Sequence, residues 1–155
     1  MSIDIQRLRS GDIARMRELL CVFGDAFDEP VRYTDNQPSD EYLRRLMSSD
    51  SFLAVAALAG GQVVGGLTAY LLPKPEMESA EAYIYDLAVD ESHRRRGIAT
   101  ALIRRLREEV AELGATVIFV QADAEDDEAI ALYETIGQRE KVFHFDIPVS
   151  RTEPP

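Results

Sequence analysis

The stretch Glu81–Leu113 reads EAYIYDLAV, then DESHRRR, then GIATALIRRLREEVAEL, and it decides the fold. Its first part is an apolar run typical of a strand, and its last part spaces apolar residues like an amphipathic helix. Three arginines, Arg94 to Arg96, and Gly97 stand between the two. A helix N-terminus presents unpaired backbone N–H groups and the positive end of a dipole, and a glycine there lets a phosphate approach. The order predicts an anion site for a ligand that carries several phosphates.

The charge balance restricts the partners of the protein. The net charge is −11, from 28 acidic and 17 basic residues, and such a field repels nucleic acid and attracts cations. We therefore expect a cationic small molecule as partner and no nucleic acid. The alternative, that the acidity only keeps the protein soluble, stays open at this point.

Cysteine use and hydropathy indicate the compartment. Cys21 is the only cysteine, which excludes an intrachain disulfide and favours a reducing cytoplasm. We interpret it as a core thiol rather than a nucleophile. From the first residues, MSIDIQRLRSGD, we expect no export signal. The uncharged stretch 51–72 is long enough to cross a bilayer, but Gly60-Gly61 and Gly65-Gly66 favour two strands joined by a tight turn. We expect a cytoplasmic protein with no membrane partner.

The remaining segments alternate between strand and helix patterns. We predict an α/β (α+β) fold with a mixed central sheet of about six or seven strands flanked by about four helices. We expect one domain, 1–148, followed by a flexible tail, 149–155. Before the central stretch, we expect a strand at Ser2–Leu8, a helix from Asp12 to Phe23 stopped by Gly24, a loop over 25–38, a helix capped by Ser39, and strands Phe52–Leu58 and Val63–Leu72. After it, we expect a buried strand at 116–122, a short helix at 129–136 stopped by Gly137, and a last strand, Val142–Ile147.

Arg94, Gly97 and Ala99 form the pattern R-x-x-G-x-A between the central strand and helix. This arrangement resembles the acetyl-CoA site of the GNAT superfamily of N-acetyltransferases. The strings YIYDLAV, HRRRGIATALI, VQAD, DD-x-A-x-ALY and HFDI further resemble the aminoglycoside 3-N-acetyltransferases of type I, over nearly the whole chain. The resemblance implies acetyl transfer from acetyl-CoA to the 3-amino group of the 2-deoxystreptamine ring of gentamicin-like antibiotics, which confers resistance. It also implies a homodimer.

The resemblance implies which residues bind acetyl-CoA. The pyrophosphate would contact backbone amides of Arg95 to Thr100, where Gly97 allows the approach. Pantetheine would pair with the main chain near Leu87 to Val89 as an added strand does. The complete set of candidate cofactor residues is Leu87, Ala88, Val89, Arg94, Arg95, Arg96, Gly97, Ile98, Ala99 and Thr100. We expect no metal, and we interpret His144 as structural.

Two residues are candidates for proton transfer. Asp86 is the one carboxylate within YIYDLAV, and a charge in a covered strand is costly unless it is paired or functional. It is our candidate base for the attacking amine, directly or through water; the alternative is a structural carboxylate. Tyr133 matches the family tyrosine that protonates the leaving thiolate, and its alternative is a core tyrosine. Many superfamily members carry a glutamate at the position of Tyr83, so the role of that glutamate cannot be assigned to this residue. Glu81, on the same strand, is a lesser candidate for the base.

Acidic residues are the candidates for recognising a polycation. Asp126 stands where many relatives carry an asparagine that contacts pantetheine, and it is a candidate helix cap instead. The candidate substrate-binding residues are Asp25, Asp28, Glu29, Tyr83, Asp123, Asp127 and Asp146. Two alternatives stay open: an acetyltransferase of the same fold acting on another polyamine such as spermidine, and a CoA-binding or interaction module without turnover.

Overall fold

The computed structural model describes residues 2–150. Two helices follow the first strand, three consecutive strands come next, and a helix, a strand and a helix complete the order, with two short helical segments in addition. The elements are β1 (Ile3–Leu8), α1 (Ile13–Ala26), a π-helical segment (Val31–Asp35), α2 (Asp40–Met47), β2 (Phe52–Ala59), β3 (Gln62–Pro73), β4 (Ala80–Val89), a 3₁₀ turn (Glu91–His93), α3 (Ile98–Glu112), β5 (Ala115–Val120) and α4 (Asp127–Glu134).

The strands form one mixed sheet in the order β1-β2-β3-β4-β5. The pairs β1–β2, β2–β3 and β3–β4 are antiparallel, and β5 runs parallel to β4. The predicted α+β class is confirmed, but the sheet has five strands within residues 2–150 rather than six or seven. The expected last strand, Val142–Ile147, is wrong for the described chain, because this segment has no strand partner and Phe143 is 91% exposed. Alternating apolar residues make an extended segment, but a strand also needs a neighbour to pair with.

The chain divides into two compact units, Met1–Gln121 and Ala122–Pro155. The first contains the whole sheet and helices α1 to α3, and the second contains α4 and the segment after it. The expected tail, 149–155, lies outside the described residues from position 151 onward, so the domain boundaries stay a prediction.

Helices cover both faces of the sheet in the first unit. Alternate residues of β2, from Phe52 to Leu58, join one apolar cluster with Leu19 and Phe23 of α1 and Leu43 of α2. The intervening residues of β2 are equally buried, and strand side chains alternate between faces, so they lie on the side covered by α3. As predicted, α3 buries the spaced residues Ile98, Leu102, Leu106 and Val110.

Two glycines permit close packing against α1. A Cβ on Gly66 of β3 would lie 2.5 Å from Leu19 Cδ1 and 2.6 Å from the Val55 carbonyl oxygen. A Cβ on Gly24 would lie 2.7 Å from Thr34 Oγ1 of the π-helical segment. Because α1 continues to Ala26, Gly24 is an interior residue of the helix rather than its predicted stop, and the predicted loop over 25–38 contains the π-helical segment.

The other expected elements agree with the structure in most respects. Ser39 accepts a hydrogen bond from the Tyr42 amide at 3.2 Å and caps α2 as predicted. The β2–β3 hairpin turns at Gly60-Gly61, as predicted. In contrast, β5 is more exposed than the predicted buried strand, with Val117 at 47%, because it is the edge strand of the sheet.

Candidate active site

A bulge in β4 sets the direction of Asp86. Thr68 of β3 pairs with Asp86, whereas the next residue, Ala69, pairs with Ile84, so Tyr85 is an extra residue in β4. Beyond the bulge, Ala88 belongs to the cluster beneath α1 and α2, while Ile84 before it does not. A bulge re-aims the side chains that follow it. The bulge therefore places Asp86 on the sheet face covered by α1.

Asp86 is partly buried there and contacts Tyr33. The Tyr33 hydroxyl donates to the carboxylate from 3.3 Å to Oδ2 and 3.4 Å to Oδ1, both long for an O–H···O bond. Burial raises the pKa of Asp86 above its usual value, the Tyr33 hydroxyl and the Arg32 guanidinium oppose that rise, and the charge of Glu29 adds to it. A carboxylate with a raised pKa is a stronger base than an ordinary one, which suits proton abstraction.

The π-helical segment holds Tyr33 over Asp86. The Tyr33 ring meets Phe23 of α1 and Phe27, the residue that follows α1, edge-on at centroid distances of 6.0 and 5.7 Å. Its carbonyl accepts from Gln37 Nε2 at 3.0 Å. Burial and then the Asp86 charge raise the pKa of Tyr33 to about 12, so its hydroxyl stays protonated at neutral pH. The sequence analysis missed Tyr33, because its role depends on a contact between residues far apart in the chain.

An acidic depression of about 540 Å³ adjoins this segment. Two of the candidate substrate residues, Asp28 and Glu29, line it, and Glu29 also pairs with Arg32 at 4.0 Å. Asp25 is exposed but does not line the depression. The other lining residues are Pro30, Val31, Arg32 and Asn36. Two of the candidate substrate residues therefore share one depression in this unit, and their role in binding stays a prediction.

The edge of β4 opens beyond the bulge. Pairing with β5 runs from Ala80 to Ile84 and ends there. Leu87 to Val89 remain paired with β3 on their other side. Within the described residues no strand pairs with their second edge, and an unpaired strand edge is the geometry that strand-like binding of pantetheine needs. Tyr83 lies just before this opening, stacked on Phe119 of β5 at 4.7 Å, and donates to Gln121 Oε1 at 3.0 Å.

The turn between β4 and α3 contains two residues with left-handed backbone angles. Arg95 and Gly97 both have left-handed backbone angles, with φ of 61° and 74°. Arg94 Nε donates to the Val89 carbonyl at 3.0 Å and ties the turn to the strand. The three arginines are exposed, and nothing lies within 4 Å of a Cβ placed on Gly97. The open backbone and the cationic side chains fit a phosphate-bearing group such as CoA.

The second unit contains the other candidates. Burial and then the Asp126 charge raise the pKa of Tyr133 to about 12. Asp126 caps α4 by accepting from the Ala129 amide at 3.1 Å, as the sequence suggested. Asp123 and Asp127 flank this cap and are exposed. Asp146 contacts His144 Nε2 at 2.9 Å. The structure thus assembles Asp86 with Tyr33 and Glu29 in the first unit, and describes Asp123, Asp127, Asp146 and Tyr133 only within the second.

A sequence comparison identifies the family. The model described as the acetyltransferase (GNAT) family matches residues 15–137. The chain belongs to the GNAT acetyltransferase family. Among curated relatives, the ribosomal protein bS18 alanine N-acetyltransferase of Escherichia coli K12 is 35% identical over 60 residues, 39% of this GNAT chain. That match spans 40% of the length of the E. coli protein, so the chain covers about two fifths of the length of this curated relative.

Solved structures similar to this chain include acetyltransferases that act on aminoglycosides. An aminoglycoside acetyltransferase from an uncultured soil metagenomic sample is 57% identical, with a TM-score of 0.95 over 97% of this GNAT chain and 100% of the other. Another soil metagenomic aminoglycoside acetyltransferase, in complex with sisomicin, is 33% identical, with a TM-score of 0.87 over 96% and 97%. AAC(6')-Iy, in complex with the bisubstrate analogue CoA-S-monomethyl-acetylneamine, is 17% identical and shares the fold, with a TM-score of 0.75 over 96% and 99%.

The described part of this GNAT chain contains neither a metal-binding cluster nor a helix suited to crossing a membrane. Within residues 2–150, no cluster of at least three His, Cys, Asp or Glu side chains is arranged to bind a metal ion. Over the same residues, no helix combines the length and apolar character that crossing a membrane requires.

Proposed function

We propose that this GNAT acetyltransferase transfers acetyl from acetyl-CoA to an amine of an aminoglycoside antibiotic, at the 3-amino group of the 2-deoxystreptamine ring. The observation that carries the proposal is the position of Asp86. It is a partly buried carboxyl of raised pKa on β4, bonded to Tyr33 and one residue before the stretch Leu87 to Val89, which pairs with β3 but not with β5. The 57% identity to an aminoglycoside acetyltransferase, and the sisomicin bound to another, support this class of substrate.

The cofactor residues have complementary roles in this proposal. Acetyl-CoA would supply an acetyl group as an activated thioester. The backbone N–H groups that follow Gly97 would bind the pyrophosphate, and the exposed side chains of Arg95 and Arg96 would balance its charge. The open edge at Leu87 to Val89 would align pantetheine along β4. Alignment of two substrates in one site supplies much of the rate of a direct transfer.

Asp86 would accept the proton that the attacking amine must lose, directly or through a water molecule. Aminoglycoside amines are protonated at neutral pH, so a base of raised pKa close to the acidic depression serves both to attract and to deprotonate the amine. The role of Tyr133 as the acid for the leaving thiolate stays a prediction from the family resemblance. Its pKa of about 12 leaves its hydroxyl protonated and able to donate at neutral pH.

A substrate panel tests the proposal. The protein is incubated with acetyl-CoA and gentamicin, spermidine or a basic peptide, while thiol release is followed. We expect thiol release with gentamicin, and an NMR spectrum of the product that places the acetyl group on N3. Release with spermidine but not gentamicin would favour the polyamine alternative. If none of the three amines gives thiol release, the result would favour a module without turnover.

An assay in cells tests the consequence for resistance. Expression in a susceptible bacterium should raise the inhibitory concentration of gentamicin, and the Asp86→Asn variant expressed at the same level should not. Equal protection by both proteins would contradict the role proposed for Asp86.

A further inference from the structure

A row of aromatic rings crosses the sheet beside Asp86. Its members touch in sequence from β2 to β5: Phe52 to Tyr70 at 5.4 Å, Tyr70 to Tyr85 at 5.9 Å, Tyr85 to Tyr83 at 5.8 Å, and Tyr83 to Phe119 at 4.7 Å between centroids. The first three contacts are edge-on and the last is stacked. We call these residues the aromatic row. None except Tyr83 was singled out by the sequence analysis.

The row is buried at one end and open at its centre. Phe52 is 4% exposed and belongs to the core beneath α1 and α2, whereas Tyr85 is 56% exposed. Edge-on and stacked aromatic pairs stabilise a sheet, so the buried members need no other explanation. Tyr85 differs, because a ring more than half exposed on a central strand contributes little burial to the core.

The β4 bulge places Tyr85 and Asp86 on the same face. Consecutive strand residues normally point to opposite faces, yet Tyr85 contacts Tyr70 and Asp86 contacts Tyr33, which both pack against the same apolar cluster. An exposed ring therefore lies directly beside the partly buried carboxyl. Tyr70 and Tyr83 flank the ring and limit its movement.

We propose that Tyr85, supported by Tyr70 and Tyr83, is the platform on which a six-membered ring of the cationic substrate stacks, so that one ring amine reaches Asp86. The proposal rests on the proposed function. The face of an aromatic ring attracts ammonium groups, and it also packs against the apolar C–H face of an aminocyclitol or aminosugar. Asp86 and the nearby Glu29 supply the negative charge that complements the amines.

The aromatic row favours a cyclic amine over a linear one. A cyclic polyamine presents a rigid C–H face that covers a tyrosine ring, and it loses little conformational entropy on binding. A linear polyamine such as spermidine gains only the attraction of its ammonium groups and must also be ordered along the surface. Loss of the ring at position 85 should therefore weaken aminoglycoside binding more than spermidine binding.

Three variants test the platform: Tyr85→Leu, which removes the ring, Tyr85→Phe, which keeps it, and Tyr42→Leu as a matched control. Tyr42 is 49% exposed, lies on α2 and is not a member of the aromatic row. Gentamicin binding is measured by calorimetry, and the KM values for gentamicin and acetyl-CoA and kcat are measured on the same proteins. We expect Tyr85→Leu to raise the gentamicin Kd and KM about tenfold. We expect Tyr85→Phe and Tyr42→Leu to remain close to the wild type.

The outcomes separate this proposal from the proposed function. An unchanged gentamicin Kd in Tyr85→Leu would overturn the platform. An equal rise in the acetyl-CoA KM, or a lowered melting temperature, would also overturn it, because either would indicate a structural role. If the wild type binds gentamicin without turnover and Tyr85→Leu weakens that binding, the platform stands and the proposed reaction fails. If the wild type binds no gentamicin, both fail.

Discussion

The Arg94–Gly97 turn and the Asp86 carboxyl are close neighbours in the chain, but they are built in opposite ways. The turn is local: two left-handed residues, one bond from Arg94 to the Val89 carbonyl, and the start of α3 define it. Asp86 depends on distant parts of the chain, namely the β3 pairing that creates the bulge and the hydroxyl of Tyr33. A site made of backbone conformation tolerates changes elsewhere, whereas a site assembled across the fold does not.

The largest expected effect is the loss of the carboxylate itself. Asp86→Asn keeps the shape of the side chain but cannot accept a proton from the amine, so kcat should fall about 10²- to 10⁴-fold. The KM for acetyl-CoA should not change, because the turn is independent of this residue. Steady-state kinetics with both substrates varied measures the two parameters, and Asp50→Asn, at an exposed position, is the control. Retained turnover in Asp86→Asn would return Asp86 to a structural role.

The close packing of β3 against α1, on the sheet face that carries Asp86, should contribute to the free energy of unfolding. In Gly66→Ala the added methyl group would overlap Leu19 and the Val55 carbonyl, and overpacking of this kind costs about 1–3 kcal/mol of unfolding free energy. Urea unfolding measures the loss. The control is Gly11→Ala, since nothing lies within 4 Å of a Cβ at Gly11, and its stability should be unchanged or slightly raised. Equal stabilities for the two variants would contradict the close approach of α1 to β3.

The turn should respond to a change of backbone preference alone. Gly97 has a φ of 74°, which costs a β-branched residue about 1–2 kcal/mol, so Gly97→Val should raise the KM for acetyl-CoA about tenfold. Gly97→Asn is the matched control, because asparagine adopts left-handed angles more readily and should lose less affinity. The gentamicin KM should stay constant in both. If the two variants behave alike, or if the gentamicin KM changes equally, the turn is not the independent site described above.

The same contrast explains what the sequence could and could not predict. Helix α3, the β2–β3 hairpin and the Ser39 cap follow from spacing and from single residues, and the structure contains all three. The bulge at Tyr85 leaves no local signal, since an extra residue in one strand is defined by its pairing with another. The segment 142–147 has the alternation of a strand but has no partner within the described chain. Local chemistry is therefore readable from the sequence, and pairing across the fold is not.

The smallest predicted effect tests the hydrogen bond between Tyr33 and Asp86, two residues that are far apart in the chain. The Tyr33 hydroxyl stabilises the ionised form of Asp86 and so lowers the pKa of a carboxyl that burial raises. Tyr33→Phe removes this bond, so the pKa of Asp86 should rise. A general base must be ionised to act, so the acidic limb of the kcat/KM profile should move to higher pH. At the acidic end, kcat/KM should fall roughly two- to tenfold, which corresponds to the free energy of one hydrogen bond. The alkaline plateau of kcat/KM should be retained.

A pH profile of Tyr33→Phe beside Tyr42→Phe measures this effect. Tyr42 lies on α2 and has no hydrogen bond to Asp86 among the contacts of the described residues, so its variant should keep the wild-type limb. A limb that stays in place in Tyr33→Phe would show that burial alone sets the pKa of Asp86. A uniform loss of rate at every pH would instead mean that Tyr33 positions the π-helical segment and does not act on the carboxylate. Movement of the acidic limb with an unchanged KM for acetyl-CoA would show that Tyr33 acts on Asp86 and does not affect the Arg94–Gly97 turn.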